Sequence, residues 1–347
     1  MLQWADTFNR YGTNTALLLN GVYAEVHNAT LIADPDPTST QKVLHHVPNT
    51  DYNELYRFAF PGGSKATMGF QTNIWCDQLP TLGGFLPGWE FRDSANVAQV
   101  SISIETTGAM SIRRGAVNGT VLATTTVPVV TANAWHRIEA KATINSATGS
   151  VEIRVNGSSV LTVTGANTQS SALSSSAQIA YSKAYSGGIN TSHKNFAVWD
   201  ITGTYNNNFL GSVQMTDIDT NADTSLTWTP STGTVGWSIL DNNPPVDTTY
   251  VSAASVLSNI FGLGNLPADA TSVKGLVLVN RSWKIDGGDG NTQMGIVSGA
   301  STGLGTDRPI TTAPTYWWDV MEVDPATAVP FTPTGFNAAS LKQSRTV

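Results

Sequence analysis

Apolar and polar residues alternate through residues 135–163, and this pattern is the clearest structural signal in the chain. In residues 135–144 the even-numbered positions are mostly apolar, whereas in residues 151–155 the odd-numbered positions are apolar. A period of two predicts β-strands with one buried and one solvent-facing side. Asn156-Gly157 supplies the positive φ angles of a two-residue hairpin turn. The stretch therefore predicts a three-stranded antiparallel meander whose buried side requires a second sheet.

The same alternation recurs in short segments of the preceding and following chain. Further strands are predicted at residues 55–60, 66–74, 100–104, 179–185 and 196–201, and Asn20-Gly21 predicts one more hairpin. Each segment ends in Gly, Pro or Asn, which favour turns. Many short strands separated by turns are typical of a β-sandwich or jelly roll.

The C-terminal part predicts a second, smaller β-sandwich domain. Residues 203–223 are polar and predict a linker, which divides the chain into domains 1–208 and 209–347. Residues 235–240 and 316–323 predict strands, and 273–279, apolar at nearly every position, predicts a central strand. Residues 337–341 predict a short helical turn. The whole chain is therefore expected to be all-β.

Charge and cysteine content limit the kinds of partner and the classes of protein that fit this sequence. The net charge is -7 and only 12% of the 347 residues are charged, which argues against a nucleic-acid partner. The single cysteine, Cys76, excludes an intrachain disulfide and is expected to be buried. We see neither a signal peptide nor an apolar run long enough to span a membrane. Synthesis in a cytoplasm is expected.

Two groups of motifs resemble known families. Trp135-His136-Arg137-Ile138-Glu139, followed by the Asn156-Gly157 hairpin, resembles the laminin-G/concanavalin-like jelly roll, in which a tryptophan opens a strand ahead of such a hairpin. Residues 198–211 (VWDITGTYNNNFLG) resemble the junction in tailed-bacteriophage virion proteins, where a laminin-G-like sandwich precedes a smaller β-domain. Three further segments resemble the same proteins, namely residues 4–11, 228–233 and 324–332. The resemblance implies a virion component without specifying an activity or a position on the particle.

The sequence offers no catalytic constellation. Sandwich glycosidases carry Glu-x-Asp-x-Glu on one strand, but here Glu139 and Glu152 alternate with basic residues on the predicted solvent face. Residues 299–303 match Gly-x-Ser-x-Gly, yet Pro309 and three glycines prevent the helix that a nucleophile elbow needs. The prediction is therefore a protein that is not an enzyme.

No cofactor is expected, although one segment has the spacing of a weak calcium loop. Its oxygen-bearing residues alternate as in such loops, but Ala222 occupies the position of the glycine and Trp228 that of the bidentate glutamate. The four weak calcium candidates are Asp217, Asp219, Asn221 and Asp223. The alternative interpretation is a solvated linker.

Ten tryptophans in a chain of low charge indicate aromatic docking. Adjacent strand residues face opposite ways, so one ring of the pair Trp317-Trp318 is expected in the core and the other outside. Either a subunit interface or a carbohydrate would use such rings. The candidates are Trp75, Trp89, Trp237, Trp317 and Trp318.

Together these observations predict a non-enzymatic structural protein of a tailed-phage virion. It is expected in the virion as capsid decoration, head or neck fibre or tail component, acting through oligomerisation and docking to other virion proteins. A trimer is the expected homo-oligomer. The alternative is a carbohydrate-binding receptor-recognition module of a phage fibre, with a host surface glycan as its partner. No nucleic acid and no membrane insertion are expected.

Overall fold

In a computed structural model the chain is built almost entirely from antiparallel β-strands, which confirms the predicted fold class. The structure describes residues 1–11, 23–26, 29–39, 41–46, 53–60, 62–81, 87–183, 189–240 and 245–347. A first compact unit includes Met1–Phe8 and the described residues of Val22–Met215, and a second includes Thr216–Val347 and the described residues of Asn9–Gly12. Residues 209–215, placed in the second domain by the sequence analysis, thus belong to the first unit. The hairpin predicted at Asn20-Gly21 lies outside the described residues.

The first unit contains two sheets. Its described strands are β1 (Leu2–Asp6), β2 (Tyr23–Val26), β3 (Ala29–Ala33), β4 (Lys42–His46), β5 (Asn53–Ala59), β6 (Thr67–Cys76), β7 (Pro87–Arg92), β8 (Ala98–Ile104), β9 (Met110–Arg114), β10 (Thr120–Thr124), β11 (Trp135–Thr143), β12 (Gly149–Val155), β13 (Ser158–Ala166), β14 (Gln178–Lys183) and β15 (Thr191–Asp200). Sheet A has the order β13-β12-β11-β6-β15-β4-β3, with β1 also paired to β15. Sheet B has the order β10-β9-β8-β7-β14-β5-β2.

The two sheets form a sandwich around an aromatic core. The ring of Phe70 in sheet A lies 5.5 Å from that of Trp89 and 5.7 Å from that of Phe91, both in sheet B. Tyr56 of sheet B contacts Phe196 of sheet A in the same way, at 5.5 Å. These rings are fully buried, so the apolar sides of the alternating strands face one another as the pattern predicted.

The predicted meander is confirmed as β11, β12 and β13. Strands β11 and β12 pair with Ala140 opposite Ile153, and both side chains are fully buried. Asn156 and Gly157 have φ angles of 51° and 89°, the left-handed conformation that the hairpin turn requires. Strand β6 pairs with the other side of β11, so the meander continues into the middle of sheet A.

The second unit is a smaller β structure with its own core. Its strands are β16 (Thr220–Ser225), β17 (Thr229–Pro230), β18 (Val251–Ser252), β19 (Ser258–Leu263), β20 (Leu276–Ser282), β21 (Asn291–Ser298), β22 (Ser301–Leu304), β23 (Arg308–Pro309), β24 (Thr315–Met321) and β25 (Ser340–Arg345). Sheet C has the order β16-β19-β25-β21-β22, with β23 paired to β21. The strand pairs β20-β24 and β17-β18 are separate, and the core residues are Val273, Leu278, Met294, Ile296, Phe331, Phe336 and Ala339.

Three local predictions for the second unit are wrong. Residues 237–240 form helix α1 (Trp237–Leu240), because the backbone amides of Gly236 and Trp237 donate to the Asp223 carboxylate, each at 2.8 Å. Strand β20 is not central, since among the described strands it pairs with β24 alone. Its predicted first residue, Val273, instead fills the core from outside the strand.

The third error lies in the C-terminal tail. Helix α2 (Pro333–Asn337) begins earlier than the predicted helical turn, because the Thr332 side chain accepts from the Gly335 amide and Pro333 suits a first helical turn. Residues 340–345 then form β25, which lies between β19 and β21. The tail is therefore an inner strand of sheet C.

Candidate functional site

The candidate site is the outer face of sheet A, which is the side turned away from sheet B. In β6, β11 and β15 the side chains of Phe70, Ala140 and Val198 are fully buried in the core. Their neighbours along each strand therefore point outward. Because these strands pair in register, the outward side chains form transverse rows. Three adjacent rows carry aromatic, charged and amide groups.

The first row is aromatic. Trp135 of β11 pairs with Trp75 of β6, which pairs with Ser192 of β15, and His45 of β4 extends the row. Both indoles are partly exposed. The Trp135 Nε1 donates to Asp34 Oδ1 at 3.0 Å, which fixes one ring in place. The two adjacent indoles thus place apolar surface beside hydrogen-bonding groups.

The second row carries two cations and an amide. Arg137, Asn73 and Lys194 lie side by side on β11, β6 and β15. The Lys194 Nζ lies 2.5 Å from Asp34 Oδ2 and 4.3 Å from the centroid of the Trp135 ring. Asp34, whose side chain is fully buried, thus joins the first two rows. The side chains of Arg137 and Lys194 are only 16% and 12% exposed, so flanking segments enclose this row.

The third row is covered. Glu139 and Gln71 are register partners, and both are fully buried. The prediction that Glu139 lies on a solvent face is therefore wrong, because residues 208–215, here called the strap, cross above it. The Gly211 amide donates to Glu139 Oε1 at 3.1 Å, and Gln71 Nε2 donates to the Val213 carbonyl at 3.5 Å.

Aromatic and apolar contacts hold the strap in place. The Arg154 guanidinium lies 3.9 Å from the centroid of the Phe209 ring, and the centroid of the Trp199 ring lies 6.1 Å from the same point. Leu210 and Met215 are only 6% and 8% exposed. Gln41 Nε2 donates to the Met215 carbonyl at 3.3 Å, which ties the end of the strap to the segment ahead of β4. The strap thus runs from strands β11 and β12 across sheet A.

Several buried polar atoms at this face lack a hydrogen bond within the described chain. They are Glu139 Oε2, Gln71 Oε1, Asn73 Oδ1 and Arg137 Nε. The Arg137 Nε lies 3.5 Å from Glu139 Oε2, but no hydrogen bond joins them. Each unsatisfied buried group costs about 1–3 kcal/mol. In folded proteins, ordered water or another bound molecule supplies the partners of such atoms.

The face also holds a histidine–serine pair. His45 Nδ1 and Ser192 Oγ lie 2.9 Å apart, which is the spacing of a base and a nucleophile. Ser192 is fully buried, however, so its hydroxyl is closed to a substrate. The pair instead links β4 to β15. What the outer face offers chemically is an aromatic surface beside hydrogen-bonding and charged groups.

A second polar group lies inside the sandwich. His46 and His193 are fully buried with their ring centroids 5.4 Å apart, and the Tyr181 ring lies 4.2 Å from that of His193. Burial raises the pKa of the Tyr181 hydroxyl well above its usual value. Tyr56 contacts the same rings, and burial likewise raises its pKa. These phenols stay neutral and serve as core.

The structure separates the tryptophans named from the sequence. Trp75 lies on the outer face of sheet A, whereas Trp89 is fully buried and therefore closed to both a sugar and a partner subunit. Trp317 and Trp318 are both partly buried, so the expected split into one core and one exposed ring is wrong. The reason is that the Arg308 guanidinium lies against both rings, at 5.6 and 6.0 Å. Trp237 begins helix α1.

The weak calcium candidates do not form a loop. Asn221 and Asp223 lie in strand β16, and the Asp223 carboxylate is occupied by the two amides ahead of helix α1. Asp217 and Asp219 precede that strand. Among the described residues no three His, Cys, Asp or Glu side chains come together as metal ligands. In the same part of the chain, neither helix has the length or apolarity to cross a bilayer.

Sequence reasoning missed most of the site. It treated Trp135 as a marker of the fold and gave no role to Asn73, Lys194 or Gln71. Their outward direction follows from the alternation, but their neighbours follow only from strand order, which joins β6, β11 and β15 from distant parts of the chain. The sequence signal that could have found these residues was the alternation of polar with apolar positions along each of these strands.

Comparisons with known proteins show which solved structures the chain resembles. The chain matches no family model and no curated protein. Among solved structures it is similar to "Cellulose induced protein, Cip1" at 13% identity and TM-score 0.43, over 60% of this chain and all of the other. It is similar to alginate lyase Aly36B at 11% identity and TM-score 0.40, over 57% of this chain and 96% of the lyase.

A third similar structure comes from a phage. It is the carbohydrate esterase vb_24B_21 from Shiga toxin-encoding bacteriophage phi24B, with 10% identity and TM-score 0.40, over 57% of this chain and 97% of the esterase. At such identities the likeness concerns the sandwich fold alone. The prediction that the chain is not an enzyme is wrong, because the structures that it resembles include a lyase and a carbohydrate esterase.

Proposed function

We propose that the first unit binds carbohydrate through the outer face of sheet A, and that it does so as part of a tailed-phage particle. One observation carries the binding proposal: Trp75 and Trp135 are neighbours on adjacent strands, directly beside the row of Arg137, Asn73 and Lys194. An indole offers a flat surface to the apolar side of a sugar ring. The amide and cationic groups offer hydrogen bonds to its hydroxyls.

The choice of carbohydrate over a protein partner rests on the mixture of groups. Protein interfaces have a core depleted in charge, surrounded by a polar rim. Here the charged row directly borders the two indoles, and Asp34 ties the two rows together through Trp135 and Lys194. Small-molecule sites combine apolar walls with a few fixed polar groups, and this arrangement matches that description.

The binding proposal is tested with the full chain on a glycan array, followed by calorimetry on the glycans that bind. Trp75→Ala should weaken binding about twofold to tenfold, because an aromatic contact is worth about 0.5–1.5 kcal/mol. The control is Trp283→Ala, which removes a partly exposed indole that contacts Tyr250 in the second unit. A Trp75→Ala variant that binds as tightly as the control would contradict the assignment of the face.

The same samples address turnover. Glycans that bind are incubated with the protein, and mass spectrometry of the mixture shows whether binding is followed by cleavage or deacylation.

The phage setting rests on the resemblance of residues 198–211 to virion proteins. Mass spectrometry and cryo-electron microscopy of purified particles should find the chain there with its copy number, and its absence from the particle would contradict this part of the proposal.

A further inference from the structure

We propose that the strap closes over a second sugar subsite formed by Gln71 and Glu139, which takes hydroxyl groups of a neutral sugar when the strap lifts. This inference rests on the proposed function, because the subsite continues the carbohydrate face by one row. Glu139 follows Arg137 on β11, and Gln71 precedes Asn73 on β6. A sugar chain bound beside Trp75 and Trp135 would reach this row after crossing the row of Arg137, Asn73 and Lys194.

In the closed arrangement, each of the two side chains has one polar atom in a hydrogen bond and one without. Glu139 Oε1 accepts from the Gly211 amide and Gln71 Nε2 donates to the Val213 carbonyl, which fixes the direction of both groups. Gln71 Oε1 is buried without a hydrogen bond within the described chain, and Glu139 Oε2 has only the ion pair with Arg137 Nε at 3.5 Å. Burial without a partner is unfavourable, so the closed form stores a cost that a hydrogen-bond donor would remove.

The strap is attached in a way that permits opening. Lys141 Nζ donates to Asn208 Oδ1, the Gly211 amide donates to Glu139 Oε1, and Gln71 Nε2 donates to the Val213 carbonyl. On the sheet side, all three hydrogen bonds use side chains. No rung of a β-ladder is therefore broken when these contacts are released. Gly211 has a φ angle of 78°, which places a residue of high backbone freedom at the middle of the strap.

The chemistry of the row selects the ligand class. Both unsatisfied atoms are acceptors, so the ligand must present donors, and sugar hydroxyls are donors. The Arg137 guanidinium already balances the charge of Glu139, so a neutral sugar leaves the charges of this row paired, whereas a uronate would add a carboxylate without a counter-charge. The covered subsite is thus expected to take neutral hexoses and to exclude acidic sugars.

The decisive variant is Glu139→Gln. Its amide oxygen can still accept from Gly211, while its NH₂ group can donate to Gln71 Oε1, the register partner. The variant then satisfies Gln71 Oε1 without a ligand, although it gives up the ion pair between Glu139 Oε2 and Arg137 Nε. The affinity for a neutral oligosaccharide should fall about tenfold, because Gln71 Oε1 no longer needs a donor from the ligand. The matched control is Glu152→Gln on the same face, whose carboxylate already bonds to Arg154 at 2.8 Å.

Hydrogen exchange of the strap separates this inference from the proposed function. In the unliganded full chain the Gly211 amide should exchange through a local opening, faster than the amides of β11, and Glu139→Gln should slow it. Exchange of Gly211 only together with β11, or equal glycan affinities of Glu139→Gln and the wild type, would overturn the subsite. Failure of the wild type to bind any glycan would overturn the proposed function, and the subsite with it.

Discussion

Asp93 shows how a single side chain organises a connection that has no regular structure. Its carboxylate is fully buried and accepts from the Ala95 and Val97 amides at 2.9 Å each, from Gln99 Nε2 at 2.8 Å and from Ser171 Oγ at 2.6 Å. Burial alone would raise the pKa of Asp93, but these hydrogen bonds outweigh it and hold the pKa below its usual value. The ionised form is therefore the one that the fold uses.

Asp93→Asn should lower the free energy of unfolding by about 2–3 kcal/mol, because an amide cannot accept all of these bonds. The contribution of the carboxylate is present above the unfolded pKa of about 3.9 and is lost as the pH falls through the lower folded pKa. Urea denaturation between neutral pH and the acid range measures both effects, and the variant should lose less stability on acidification than the wild type.

Asp36→Asn is the control for this prediction. The Asp36 carboxylate accepts from the amide and the hydroxyl of Thr38 in a similar local turn, but it is partly exposed, whereas Asp93 is fully buried. Its replacement should leave the unfolding curve unchanged at neutral pH. An equal loss in both variants would show that burial of Asp93 has no special effect.

At the scale of elements, the Asn156-Gly157 turn is the connection that the sequence predicts best. Both residues adopt positive φ, and a Cβ added to Gly157 would lie 2.8 Å from Arg137 Nη2. Local residue chemistry alone selects this turn, since few residues other than Asn and Gly tolerate the conformation. The strands on either side then inherit their register from it.

Gly157→Ala should destabilise the first unit by about 1–2 kcal/mol, because Ala adopts positive φ only with strain. Thermal unfolding followed by circular dichroism measures the change. Gly287→Ala is the matched substitution, since Gly287 has no contact within 4 Å of the added methyl group and no positive φ. A comparable loss in both would point to the general effect of replacing glycine.

Other elements were not predictable because no local pattern encodes them. Helix α1 depends on the Asp223 carboxylate, which meets it from strand β16. The strap has neither periodicity nor regular structure, and its course is set by Glu139, Gln71 and Gln41, which lie far away in the sequence. Long-range side-chain contacts of this kind leave no trace in a hydropathy pattern.

At the scale of the whole molecule, alternation was sufficient to predict an all-β chain. Alternation states which side of a strand is buried, so it also gives the outward residues of the candidate site. It does not state that β6 lies between β11 and β15, which is what places Trp75 beside Trp135 and Asn73 between Arg137 and Lys194. The fold class was therefore accessible from the sequence, and the site was not.

Each unit has its own apolar core, and we expect two unfolding transitions. Phe70→Ala removes a fully buried ring from the first core and Phe336→Ala a ring from the second. A buried Phe→Ala change costs about 3–5 kcal/mol. Differential scanning calorimetry should show each variant lowering one transition while the other stays in place, and a single transition shifted by both variants would contradict this.

The strap also determines where the chain can be truncated without exposing the outer face of sheet A. A recombinant fragment ending at Asn208, where the composition changes, would lose Leu210 and Met215 from the surface of sheet A. Water would then reach Gln71 and Glu139, and the Gly211 and Val213 partners that hold them would be missing. Ligand measurements on such a truncation would describe an artificially open surface, whereas a fragment that ends after Met215 keeps the native one.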